Sequence, residues 1–447
     1  MLTEVVESLA RKFDLPGVAV AVWADGQESY ACHGVTSRAN PLPVDPHTLF
    51  VLGSVAKTYT ATAMMCLVER GQVDLDAPVR RYLPELVLAD EHAAAAVTVR
   101  QLLNHTAGLD WRMPAETGDG DDALAAYVAE MAGTRLIAAP GERAAYSQIG
   151  YNLAGRVIER VTGETFESAV GSLLFEPLGL ADSVYRANDA MTRRFAIGHN
   201  LDAAGDLVQV RQWKDTRANN PGGGVASSVS DQLRWARFHL GDGAPVFGTG
   251  LLRQMQQPTV ELTGSSLGDA IGIAWFLRDI DGARTVGHGG SANGQFADLA
   301  LVPERDFAVV VTSNAGPDAG LAFNRAVITW ALEHYAGVKE QAPEPLPYAP
   351  ERAGEIVGHY ANEMMNVTVG TDADGYTIAC AIKPEIRSAT ATELPPDLPP
   401  APFGLISDDE YVVTGGGLDG QRGGLLRDAY GIVVRIDLAG RSFDRTG

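Results

Sequence analysis

The chain has 447 residues, 46% of them hydrophobic and 20% charged, which is enough for a core of ordinary size and too apolar for global disorder. Its net charge of −21, from 35 basic and 56 acidic residues, argues against nucleic acid or an anionic membrane as partner, since both need a basic surface. The three cysteines, Cys32, Cys66 and Cys380, lie far apart with no CxxC, and the nine histidines form no HExxH, so neither a disulfide framework nor a metal site is expected.

In chain order, residues 4–12 read as a helix that Pro16-Gly17 breaks. Val18–Trp23 and Glu28–Gly34, joined by Asp25-Gly26, carry a hairpin signal. From Ser54 to about Arg70, Val55, Tyr59, Met64, Leu67 and Val68 give a helix an apolar face, with Gly71 as its stop. Helical segments fill the chain to residue 240. Strand-like stretches follow at Ile271–Ile280 and Phe296–Ser313, then a helix at Ala322–Tyr335. Strands at both ends with helices between predict one α+β domain over 1–340, whose sheet recruits the N-terminal hairpin and which carries an inserted helical lobe. The proline-rich stretch 341–350 reads as a linker. Residues 351–447 alternate short β-type runs with Gly and Asp turns and read as a small β-domain, barrel or sandwich. The chain opens on a charged, helix-like segment and no uncharged apolar run reaches the ~18 residues of a membrane span, so a cytoplasmic protein is expected.

Three short motifs carry chemistry. Ser54-Val-Ala-Lys57 places a hydroxyl and an amine three residues apart at a helix start, on one face, where the amine can take the serine's proton and the helix N-terminus favours an oxyanion. The bland alternative is a capping serine beside a solvated lysine. Only five lysines occur (Lys12, Lys57, Lys214, Lys339, Lys383), and an arginine, always protonated, could not serve as the base. Tyr146-Ser-Gln148 follows Pro140-Gly141 and precedes a helix expected from about Asn152. A tyrosine beside an ammonium can relay a proton, although an isolated tyrosine is more often just a satisfied core residue. Gly287-His288-Gly289-Gly290-Ser291 lies between strand-like runs; its glycines admit a substrate, and the Ser291 N–H can join that of Ser54 in an oxyanion hole.

Together and in this order, the motifs resemble the serine β-lactamase and penicillin-binding-protein superfamily, as class C β-lactamases and family VIII esterases show it. Phe50-Val-Leu-Gly-Ser54, Leu102-Leu-Asn-His105-Thr-Ala-Gly108-Leu and Pro221-Gly-Gly-Gly-Val-Ala-Ser227 are similar to its recurrent segments, over about residues 5–336. The resemblance implies a β-lactamase-like domain followed by a lipocalin-like one. It implies attack by Ser54 on a carbonyl, proton transfers shared by Lys57 and Tyr146, and a pocket lined by Gln148, His288, Gly290 and Ser291, without metal or organic cofactor. His105 reads as fastening a turn, and Gly222–Gly224 as a flexible loop before a helix.

Two positions depart from the pattern. His288 stands where a carboxylate-binding lysine is usual, and Gln148 where asparagine is usual. The reading is therefore a hydrolase of small carboxylic esters or amides, esterase first, with amidase, D-aminopeptidase or β-lactamase activity as alternatives. A non-catalytic ligand-binding or covalent-sensor protein is the rival of another class. Oligomeric state is left open.

Overall fold

Valine-rich strands form the centre of the first part of the molecule. Gly17–Ala24 and Gln27–Gly34 form a hairpin whose turn residues Asp25 and Gly26 both have positive φ (52° and 73°), as a tight right-twisting hairpin requires. Gly17–Ala24 pairs antiparallel with Phe307–Ser313, which continues through Gln295–Val302 and Ala283–Ala292 to Phe276–Ile280. The hairpin thus joins strands nearly 300 residues away, as expected. On one face Val18, Val20, Val22, Val309 and Val311 pack with the helices Leu2–Lys12 and Asp318–Ala331. Phe307–Ser313 is buried at every residue, so it is covered on both faces.

The computed structural model describes residues 1–110, 116–202, 204–241, 243–316, 318–373, 375–389 and 397–446. Contacts divide the chain into two units: Met1–Val260 with Ile271–Glu340, and Glu261–Ala270 with Gln341–Gly447. The third motif does not lie between strands: it sits inside the ten-residue strand Ala283–Ala292, whose glycines had blurred the β signal. Phe296–Ser313 is two strands, separated by a turn at Pro303–Arg305. The second motif's helix begins at Gln148 rather than near Asn152, because the Ser147 side chain accepts the Gly150 N–H and caps it.

In the helical part of the first unit, Ala56–Glu69 is buried from Ala56 through Leu67. Its buried polar side chains are satisfied there: Thr58, Thr60 and Thr62 donate to backbone oxygens, and so does Lys57.

The second unit is a closed eight-stranded antiparallel barrel in which each strand neighbours the next in sequence, from Gly358–Ala361 to Arg441–Arg445, and those two pair to close it. Tyr360, Val367, Ile378, Phe403, Tyr411 and Ile436 are among the residues that fill its core. Residues 341–350 are not a free linker: the Leu346 N–H donates to the Leu405 carbonyl, and Tyr348 packs edge-on against Tyr376 at 4.9 Å. Residues 261–270 also belong to this unit rather than to the first domain, with the Gly264 N–H donating to Glu410 at 3.1 Å. Among the described residues, no helix is long and apolar enough to cross a membrane, and no group of three or more His, Cys, Asp or Glu could hold a metal ion.

Candidate active site

Gly53 has φ +54°, a left-handed conformation that glycine takes without strain, and this bend sets Ser54 at the head of the helix. Lys57 lies one turn on, fully buried, while Ser54 keeps partial exposure. Lys57 Nζ is 3.1 Å from Ser54 Oγ, 2.7 Å from Gln148 Oε1 and 2.7 Å from the Gly222 carbonyl oxygen. All three partners are uncharged, and burial holds the amine well below the ordinary lysine range. The amide and carbonyl oxygens can only accept, so a neutral Lys57 gives its two protons to them. Its lone pair is left for the Ser54 hydroxyl. This is the arrangement a general base needs.

The Tyr146 ring centroid lies 4.8 Å from Lys57 Nζ, and that of Tyr151 lies 5.4 Å away. Two buried histidines stand nearby in opposite tautomers. His105 Nδ1 accepts the Ser147 N–H at 3.0 Å, so its proton sits on Nε2; its ring lies 4.5 Å from that of Tyr146, tilted by 37°. His288 Nδ1 is 2.6 Å from the Gly289 carbonyl oxygen and must donate to it, which leaves Nε2 as an acceptor. Its ring lies 4.5 Å from Phe276 and 6.3 Å from Tyr146. Burial pushes the His288 imidazole down to about 3, so it is neutral at physiological pH. Burial, the largest cause, holds His105 low as well.

The third motif meets the nucleophile backbone to backbone. A Cβ on Gly290 would lie 2.1 Å from the Leu52 oxygen and 2.6 Å from Ser54 N; one on Gly53 would lie 2.5 Å from Ser291 N. The N–H groups of Ser54 and Ser291 are thereby drawn to one place. Ser54, Lys57, Tyr146, Gln148, His288, Gly290 and Ser291 are all brought together.

Gly222–Gly224 departs from its expected role as a flexible loop. Asn220–Gly223 is a short, wholly buried helical turn, and the Gly222 oxygen is a direct partner of Lys57. Asn219, not anticipated, accepts from Gln148 Nε2. His105, read from the sequence as fastening a turn, accepts the Ser147 N–H of the second motif and also lies against Tyr146, which a turn histidine need not do. A run of buried amides and glycines, Asn219-Asn220-Pro221-Gly222-Gly223-Gly224, was the available signal for these contacts.

The family described as Beta-lactamase matches residues 2–332, and the chain belongs to it. Membership brings serine-hydrolase chemistry in general. Penicillin-binding protein 4 of Amycolatopsis lactamdurans is 32% identical over 373 residues, covering 80% of this chain and 96% of that protein. Among solved structures, SurE superposes with a TM-score of 0.75 at 27% identity, covering 100% of this chain and 98% of the other. A class C β-lactamase from Rhodobacter sphaeroides superposes with a TM-score of 0.61 at 25% identity, covering 74% of this chain and 99% of the other.

Proposed function

We propose that the protein hydrolyses small carboxylic esters, and with lower efficiency neutral amides, through an acyl-Ser54 intermediate. The observation that carries this reading is the buried Lys57 amine, 3.1 Å from Ser54 Oγ and tied otherwise only to uncharged oxygens. Ser54 Oγ attacks the carbonyl as its proton passes to Lys57, and the backbone N–H groups of Ser54 and Ser291 hold the oxyanion. Lys57 and Tyr146 return the proton to the leaving oxygen or nitrogen. Water then attacks the acyl-enzyme with the same groups reversed, releasing the acid.

Esters come first because the third motif offers a neutral imidazole, not a fixed cation, so a substrate carboxylate gains no ion pair there. A second reading has its own support: one neighbour, SurE, was solved with D-Leu, at a TM-score of 0.74 and 26% identity. That favours a D-configured aminoacyl group among the amide alternatives.

Intact mass after fluorophosphonate treatment, with p-nitrophenyl ester turnover, on wild type and Ser54→Ala, tests the proposal. A single adduct and turnover, both lost in the variant, are expected. No adduct and no Ser54-dependent turnover in folded protein would hand the lead to a non-catalytic binding protein.

A further inference from the structure

Behind Gln148 the hydrogen bonds continue in single file. Gln148 Oε1 accepts from Lys57, Gln148 Nε2 donates to Asn219 Oδ1, and Asn219 Nδ2 donates to Asp215 Oδ2 at 3.0 Å. The other carboxylate oxygen, Oδ1, accepts at 3.4 Å from Asn293 Nδ2, in the turn that joins the third-motif strand to its neighbour. A carboxamide can face either way, and nothing within one amide decides which. Here the far end decides. A carboxylate only accepts, so Asn219 must turn its NH2 to Asp215 and its oxygen to Gln148. Gln148 must then turn its NH2 to Asn219 and its oxygen to Lys57.

We infer that Asp215 is a positioning residue which, through two carboxamides in series, fixes Gln148 with its oxygen toward Lys57 and so keeps the lysine lone pair directed at Ser54. This rests on the proposed role of Lys57. Without the carboxylate the file can reverse. Gln148 then presents an N–H to Lys57 and competes with the Ser54 hydroxyl for the same lone pair. The aligned amides also polarise one another, which strengthens the acceptor that Lys57 meets. Gly223 leaves the space this file needs, since a Cβ there would lie 3.3 Å from Asn219 Nδ2.

The test is a double-mutant cycle on the intact chain, reading the second-order rate of fluorophosphonate labelling together with kcat and KM for an ester. Asp215→Asn keeps the shape and removes the obligate acceptor. Labelling and kcat are expected to fall about 10- to 100-fold with KM within about threefold, the scale on which misplacing one catalytic group acts. Asp215→Glu, which keeps the carboxylate, is expected to recover most of the rate. In a Gln148→Ala background, where the file is already cut, Asp215→Asn should change labelling by less than about twofold. Equal losses in both backgrounds, a loss confined to KM, or no loss in the wild-type background would each overturn the inference. If Asp215→Asn does not fold, Asn219→Ala replaces it in the same cycle, with the same outcomes deciding. Labelling that survives Ser54→Ala would instead sink the proposed nucleophile, a result distinct from any of these.

Discussion

Lys57 shows how much of a site one side chain can hold and how much it must borrow. Its position relative to Ser54 follows from helical spacing and was legible at once. Its other two partners lie 91 and 165 residues away, at Gln148 and Gly222, and no local pattern announces them. Gly222 gives this a measurable form. A Cβ there would fall 1.7 Å from Gln148 Nε2 and 2.6 Å from its Cδ, both atoms of a side chain that can swing aside. The fold should therefore tolerate Gly222→Ala, while Gln148 leaves its place between Lys57 and Asn219. The expected outcome is a kcat at least about 10-fold lower with thermal stability changed little, because positioning rather than packing is lost. Steady-state kinetics beside a thermal melt checks it; a stable variant with unchanged kcat would mean that Gln148 is dispensable.

Among elements, the strand Ala283–Ala292 does two jobs. It pairs along the sheet, and it lays its glycines against the turn at Gly53–Val55. The sequence showed the motif and missed the strand, because Gly-His-Gly-Gly lacks the branched, alternating pattern by which strands are read. The hairpin Gly17–Gly34 and the helix after Ser54 carry ordinary signals and were legible for that reason. The helix at Gln148 was misjudged by one turn because its cap, Ser147, is itself the middle of a motif. Neighbouring glycines of the strand should separate its two jobs. Gly290→Ala drives a Cβ into backbone on three sides, at Leu52 O, Ser54 N and Val55 N (2.1, 2.6 and 2.9 Å). Backbone cannot swing away, so the nucleophile turn must shift. Gly289→Ala meets only the Asp298 carboxylate, at 2.5 Å. Ester turnover is expected to fall at least about 100-fold for Gly290→Ala, the scale of losing an oxyanion donor, and far less for Gly289→Ala. Similar losses in both would show that the strand's contact with Ser54 carries no special weight.

Over the whole molecule, the sequence changes pattern near residue 340, but nothing in it assigns 261–270 to the barrel unit. A ten-residue excursion leaves no mark when its partners, such as Glu410, lie some 150 residues further on. The molecule's response to pH is set in the same long-range way, by which groups the fold buries. His239 is fully buried among Trp235, Phe238 and Trp275, and burial pushes it down to about 3. In the unfolded chain it titrates near 6.5. Between those values the unfolded chain binds the proton and the folded one does not, so this group's contribution to stability is lost as pH falls below about 6.5. Asp231 works in the opposite sense. Burial raises it to about 6, against bonds from Ser183 and the Asp182 N–H, so between its unfolded value of about 3.8 and 6 the folded state holds the extra proton. Its term therefore weakens as pH rises through that window. Each fully shifted group contributes a slope of about 1.4 kcal/mol per pH unit, and comparing a variant with wild type isolates one group from the rest. Melts at pH 7.5 and 4.5 should show His239→Gln losing less stability on acidification than wild type, and Asp231→Asn losing more. Parallel curves for all three proteins would place both groups outside the core in solution and remove burial as the cause.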